Sequence, residues 1–328
     1  MNKKYFFYFV ALLAILTLAV AVLGWYFYPS QPQKLDREEY KTVKDSLVAI
    51  VISEDPRVAL EKLSQLTEKR SAVSGSCHAL VHEIGHASYD RYQDVGEALY
   101  YRDEICGSGY LHGVIEGHMR TVPDVNAALR TVCSPYTDRF LRGSCYHGVG
   151  HGLMYYSNDN LPESLDRCQT YSHASDRVSC AEGVFMENFN TDQKLHPSAY
   201  LNEEDPFSLC RTQALDSHKG VCYFYAPLYY LNAHPGKYKQ VFDWCQTAEE
   251  SFTDACIKGA SSRITKENMQ NIALAERLCG GLVDEYQGSC AAGIGSYHLT
   301  HYGDRERTRQ MCLTLRQEFQ PVCLKAIQ

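Results

Sequence analysis

Three hydrophobic patterns divide the chain. The first is one continuous apolar run, with no charged residue among the 24 positions from Tyr5 to Tyr28. At roughly 1.5 Å per helical residue, such a run crosses a bilayer. Lys3 and Lys4 precede it, and aromatic residues sit at both ends, where interface anchors belong. A cleaved signal peptide has a shorter apolar core, about 7–15 residues, ending at a small-residue site. This run is longer and ends in Gly-Trp-Tyr-Phe-Tyr, so residues 1–28 read as an uncleaved signal anchor, a single transmembrane helix. The second pattern is polar and short: residues 29–36 (PSQPQKLD) read as a linker. The third fills the remainder, 37–328. Apolar residues recur at helical spacing over 37–52 and 56–70, with Asp55 placed to cap the second helix and Pro56 at its first position. No convincing strand-type alternation appears, so the fold class is all-α.

The cysteines give this helical region a period. Six segments are bounded by cysteines: 133–145, 168–180, 210–222, 245–256, 279–290 and 312–323. They start 35, 42, 35, 34 and 33 residues apart, the period of a two-helix solenoid repeat. In each unit a first helix ends at the first cysteine and a second helix starts at the next. A disulfide between them closes a short loop, worth about 2–3 kcal/mol in the chain-entropy model. Cys77 and Cys106 are left without local mates. Tyr110 stands where the second unit's cysteine belongs, so Cys77 and Cys106 are expected to pair with each other.

Charge and composition narrow the partners. The formal net charge is −7, and no basic block occurs, which argues against a nucleic-acid partner. Lys34, Arg37, Lys41 and Lys44 follow the apolar run, so the positive-inside rule leaves orientation open. The fourteen cysteines decide it: none lies in the anchor and no C-x2-C pair exists, as an oxidising compartment predicts. The N-terminus is then cytoplasmic and the repeat domain extracytoplasmic, periplasmic or on the cell surface.

Seven of the thirteen histidines fall between 78 and 151. The segment CHALVHEIGHASY carries His78, His82 and His86 four residues apart, one face of a helix. His82, Glu83 and His86 match H-E-x-x-H, in which two histidines bind zinc and the glutamate activates water. The next second helices carry His112 with Glu116 and His118, then His147 with His151, then Glu182 and Glu187. In a solenoid the second helices line one surface, so corresponding side chains converge. Imidazoles with carboxylates suit zinc first, and iron, copper or manganese next, as one or two ions. The expected metal ligands are His78, His82, His86, His112, Glu116, His118, His147, His151 and Glu182. Glu83 and Glu116 are the candidate bases. The surplus of ligands over one zinc resembles, in architecture only, helical two-metal sites. Glycines beside the histidines, each costing about 1 kcal/mol in a helix, imply close packing.

Other chemistries find little support. There is no C-x-x-C-H for covalent haem, no phosphate-binding Gly-Lys loop and no G-x-S-x-G elbow. His298 and His301 are better read as surface or turn residues than as a second metal site. Pro227 is placed to end or kink its helix, dividing the array into a ligand-bearing part (about 77–190) and a plain part (about 191–328). Two functions follow: a membrane-anchored metal-dependent enzyme, hydrolytic or oxidative, or a non-catalytic metal-binding or scaffold repeat whose surface engages a protein or peptide.

Overall fold

The computed structural model describes residues 34–103, 105–122, 124–190 and 198–328. The expected anchor at 1–28 and most of the linker lie outside the described residues. Among the described residues no helix is long and apolar enough to cross a membrane. The same residues contain helices and no strand.

The chain opens with α1 (Arg37–Ser53) and α2 (Pro56–Lys69). Long helices then alternate with short ones: α3 (Ser71–Tyr92), α4 (Val95–Leu99), α5 (Ile105–Thr121), α6 (Val125–Thr131), α7 (Arg139–Tyr156), α8 (Leu161–Cys168) and α9 (Ala174–Asn190). The second part continues with α10 (Ser208–Arg211), α11 (Asp216–Ala233), α12 (Tyr238–Cys245), α13 (Thr253–Glu267), α14 (Ile272–Cys279), α15 (Asp284–Tyr302), α16 (Arg305–Thr314) and α17 (Gln320–Ala326). Aspartates start many of them. Asp36, Asp55, Asp94, Asp124, Asp138 and Asp304 each accept a first-turn backbone N–H, worth about 1 kcal/mol apiece. Pro227 does not end α11; the helix carries it inside and runs on to Ala233.

All seven disulfides form as the spacing predicts, and no cysteine is free. Five pin a long helix to the end of the short helix or turn before it, and Cys312–Cys323 joins α16 to the short α17. The seventh, Cys77–Cys106, ties α3 to the start of α5. Where the missing staple of α5 would sit, the Tyr110 hydroxyl donates to the Ala98 carbonyl of α4 at 2.7 Å. A hydrogen bond there takes over the link that a disulfide makes elsewhere.

The long helices pack in series, α3 on α5, α5 on α7, and so on to α15 on α17. Glycine sets the spacing. A Cβ at Gly113 would run into the His82 carbonyl, one at Gly183 into the His147 carbonyl, and one at Gly259 into the Phe224 carbonyl. The array does not stay open as a solenoid surface. It curls until α15 meets α5, so the inner faces of the long helices look at one another.

Candidate metal centre

The same glycine contacts reveal a register that alignment on cysteines hides. Gly85 of α3 approaches the Tyr110 carbonyl, as Gly150 of α7 approaches the Cys180 carbonyl. His82-x-x-Gly85-His86 and His147-x-x-Gly150-His151 are therefore equivalent stretches, H-x-x-G-H in both. His112 of α5 corresponds in turn to Glu182 of α9. That shared five-residue pattern was the signal in the sequence that would have paired these helices.

Five histidines meet at the centre. One ligand atom from each of His78, His82 and His112 lies within 4.8 Å of the others, and the same holds for His112, His147 and His151. His112 belongs to both triads. Ring centroids of His112 lie 5.3 Å from His82, 5.0 Å from His147 and 5.3 Å from His151.

Oxygen acceptors behind the rings set their tautomers. His78 Nδ1 lies 2.6 Å from the Cys106 carbonyl oxygen. His82 Nδ1 lies 3.1 Å from Glu116 Oε1, and His151 Nδ1 lies 2.7 Å from Glu187 Oε2. A carbonyl or carboxylate can only accept, so each Nδ1 carries a hydrogen, and in the neutral ring the Nε2 then presents a lone pair. Yet His78 Nε2 and His82 Nε2 stand 3.1 Å apart. Nε2 of His151 and Nε2 of His147 stand 3.2 Å apart. His112 Nδ1 is buried with no partner among the described residues.

Three of the five histidines are held in the neutral form that a metal ligand needs. Burial, followed by neighbouring imidazoles, pushes His78, His112 and His147 well below the usual histidine range, so they are neutral at pH 7. Burial opposes ionisation of Glu116, but His82 and His86 beside it overcome this and hold it well below the usual carboxylate range. His151 differs: burial is outweighed by the Glu187 hydrogen bond, which raises its pKa and favours the imidazolium in the metal-free chain.

Other expected residues fall outside the two triads. His86 Nε2 binds Glu116 at 2.6 Å, and burial is outweighed there by Glu116 and Glu83, which raise its pKa to about 9. Glu83 turns outward: it stands 3.8 Å from His86 Nδ1 and against Tyr40 of α1. The H-E-x-x-H residues thus do not face one centre together. Glu116 is held by two histidines and orients them. His118 lies 3.3 Å from the Tyr89 hydroxyl, away from the triads. Glu182 is inside, near Lys258 and Tyr225, with burial raising its pKa to about 7. His298 is buried rather than at the surface, paired with Thr308 at 2.9 Å.

The part of the array expected to be plain also contributes. Tyr225 lies 6.2 Å from His147, centroid to centroid. The charge of Lys266 is felt at His78, His147 and His151. Burial, then repulsion from Arg263 and Lys34, lowers the Lys266 pKa to about 7. Sequence reasoning missed these groups because only the closure of the array brings them opposite the histidines.

Comparison with known proteins gives nothing to set beside this geometry: no family model, curated protein or solved structure matches the chain.

Proposed function

We propose that the protein is an extracytoplasmic metalloprotein in which His78, His82, His112, His147 and His151 hold one or two transition-metal ions for a metal-dependent reaction. The observation that carries this is convergence: one ligand atom from each of His78, His82 and His112, and from each of His112, His147 and His151, lies within 4.8 Å of the others. With both Nδ1 atoms facing oxygens, His78 Nε2 and His82 Nε2 lie 3.1 Å apart, close enough to share one cation, a proton in the metal-free chain or a metal ion in its place. Neutral imidazoles favour zinc first, with copper and iron next. The carboxylates of Glu116 and Glu187 act from behind the ligands, fixing ring orientation and raising basicity.

A metal-dependent enzyme, hydrolytic or redox, agrees better with the inner surface than a scaffold does. Half-buried polar groups share this interior: Tyr225 lies 6.2 Å from His147, and Glu182 and Lys266 are enclosed as well. A pure scaffold has no need of them, and each costs stability when enclosed. The seven disulfides support an oxidising location, and the uncharged N-terminal run supports a membrane tether for the domain.

The test is metal content. The full chain, purified under oxidising conditions and offered zinc, copper, iron and manganese, is expected to retain one or two ions per chain by mass spectrometry. His147→Ala with His151→Ala should lower that content. A wild-type chain that stays metal-free rejects the metalloprotein. An unchanged double variant leaves the α3 histidines acting alone.

A further inference from the structure

We propose, resting on the metal-centre reading, that the centre holds two ions and that His112 bridges them as an imidazolate, Nδ1 to one ion and Nε2 to the other.

His112 is the residue common to both triads. On one side stand His78 and His82 of α3, with their Nε2 atoms 3.1 Å apart. On the other stand His147 and His151 of α7, with theirs 3.2 Å apart. Two nitrogens that hold one ion at about 2.0–2.1 Å each, at a tetrahedral angle, stand about 3.3 Å apart. Each pair is therefore spaced to hold an ion of its own, and His112 supplies both with a third ligand. Glu116 spans the same gap from behind. Its Oε1 lies 3.1 Å from His82 Nδ1 and 4.0 Å from His151 Nδ1, so one carboxylate backs a ligand of each triad.

Glycines put His112 in the middle. Gly113, next in the chain, packs against the His82 carbonyl of α3, and Gly148 of α7 packs against His112 itself. At the level of His112, α5 is thus pressed against a neighbour on either flank. A Cβ at Gly148 would stand 3.1 Å from His112 Cδ2. The ring edge formed by Cδ2 and Nε2 is therefore turned toward α7. The other edge, which carries Nδ1, is turned away from α7, the direction in which α3 lies.

The hydrogen bonding of the rings separates His112 from its neighbours. His78, His82 and His151 each set Nδ1 against an oxygen, which leaves one nitrogen for a metal. His112 is only 3 % exposed, and its Nδ1 has no partner among the described residues. A buried polar nitrogen with nothing to bond is costly. A bridge removes that cost. One ion takes the lone pair of the neutral ring. The second takes the other nitrogen as its N–H proton leaves to solvent, and the two cations stabilise the anionic ring between them.

Copper(II) is the probe, because two coppers joined by an imidazolate couple their spins and lose their paramagnetic resonance signal at liquid-helium temperature. The full chain, oxidised and loaded with copper, is freed of loose metal before measurement. It is expected to keep two coppers per chain, with most of the signal of that copper missing. A chain holding one copper and one zinc should give the full signal of its copper. In His112→Ala each copper that remains should also give its full signal. One copper per chain, or two with full signals, overturns the bridge and leaves the metal centre standing. Coupling that survives in His112→Ala does the same. If His112→Ala fails to fold, His147→Ala with His151→Ala decides: one copper with a full signal supports the bridge, and a coupled pair overturns it. A chain that takes no metal rejects the metal centre, and the bridge with it.

Discussion

The α3–α9 half and the α11–α15 half are built by the same rules and do different things. In both, a disulfide pins a long helix, and a glycine lets the next helix approach a carbonyl. Gly113 against His82 in one half matches Gly259 against Phe224 in the other. Yet the inner positions of the first half carry imidazoles and carboxylates, while those of the second carry Tyr225, Lys258 and Lys266. The difference teaches that staple and glycine fix the backbone so firmly that inner side chains can be chosen for chemistry. The two halves then meet because the array closes, with Tyr225 6.2 Å from His147 and α15 against α5.

Three measurements press on this comparison. The largest effect belongs to the shared contact. Gly113→Ala and Gly259→Ala should each destabilise the fold by about 2 kcal/mol, since backbone cannot yield to the new methyl and the gain in helix propensity only partly offsets it. Urea unfolding monitored by circular dichroism checks this. A loss in one half only would mean that the two halves are not built alike.

Next comes the orienting carboxylate. Glu187→Gln should reduce metal affinity by about 10-fold or more, with little change in stability, because it weakens the hold on His151 Nδ1. Competition with a metal chelator reads the affinity. The matching change in the other half, Glu249→Gln, breaks its contact with Lys219 and should leave metal affinity as it was.

The smallest effect is in pH dependence, and the halves differ in sign. In the metal-free chain His86 has a folded pKa raised to about 9. Its pairing with Glu116 therefore contributes fully below about 6.5 and is lost as pH rises through 9. His298 is lowered to about 4 by burial and then by Arg307. Its contribution is present above about 6.5 and is lost as pH falls toward 4. Thermal melts across this range should show His86→Gln flattening the alkaline limb and His298→Gln the acid limb. Exchanged assignments would refute the two environments described for these residues.

Much of this was legible from residue order. Cysteine spacing fixed the repeat and all seven pairings, including Cys77–Cys106 by elimination, because a disulfide needs only local proximity in a two-helix unit. Asp55 and Pro56 announced a helix start for the same local reason. The i,i+4 histidines announced a ligand face. Glu83 was less legible: helical spacing places it near His82 and His86, but only the packing of α1 on α3 shows that it faces Tyr40. Register was likewise hidden, because Cys77 belongs to a disulfide between helices and shifts the apparent alignment of α3 by one turn.

The sequence by itself therefore determined the helices, their staples and the residue types available for metal. Those depend on neighbours within one or two turns of the chain. Only the tertiary structure decided which histidines share a centre, which carboxylates stand behind them, and that Tyr225 of α11 stands beside them. Those relations depend on the curvature accumulated over successive glycine-spaced contacts until α15 reaches α5. No single repeat encodes that closure, so no local pattern could announce it.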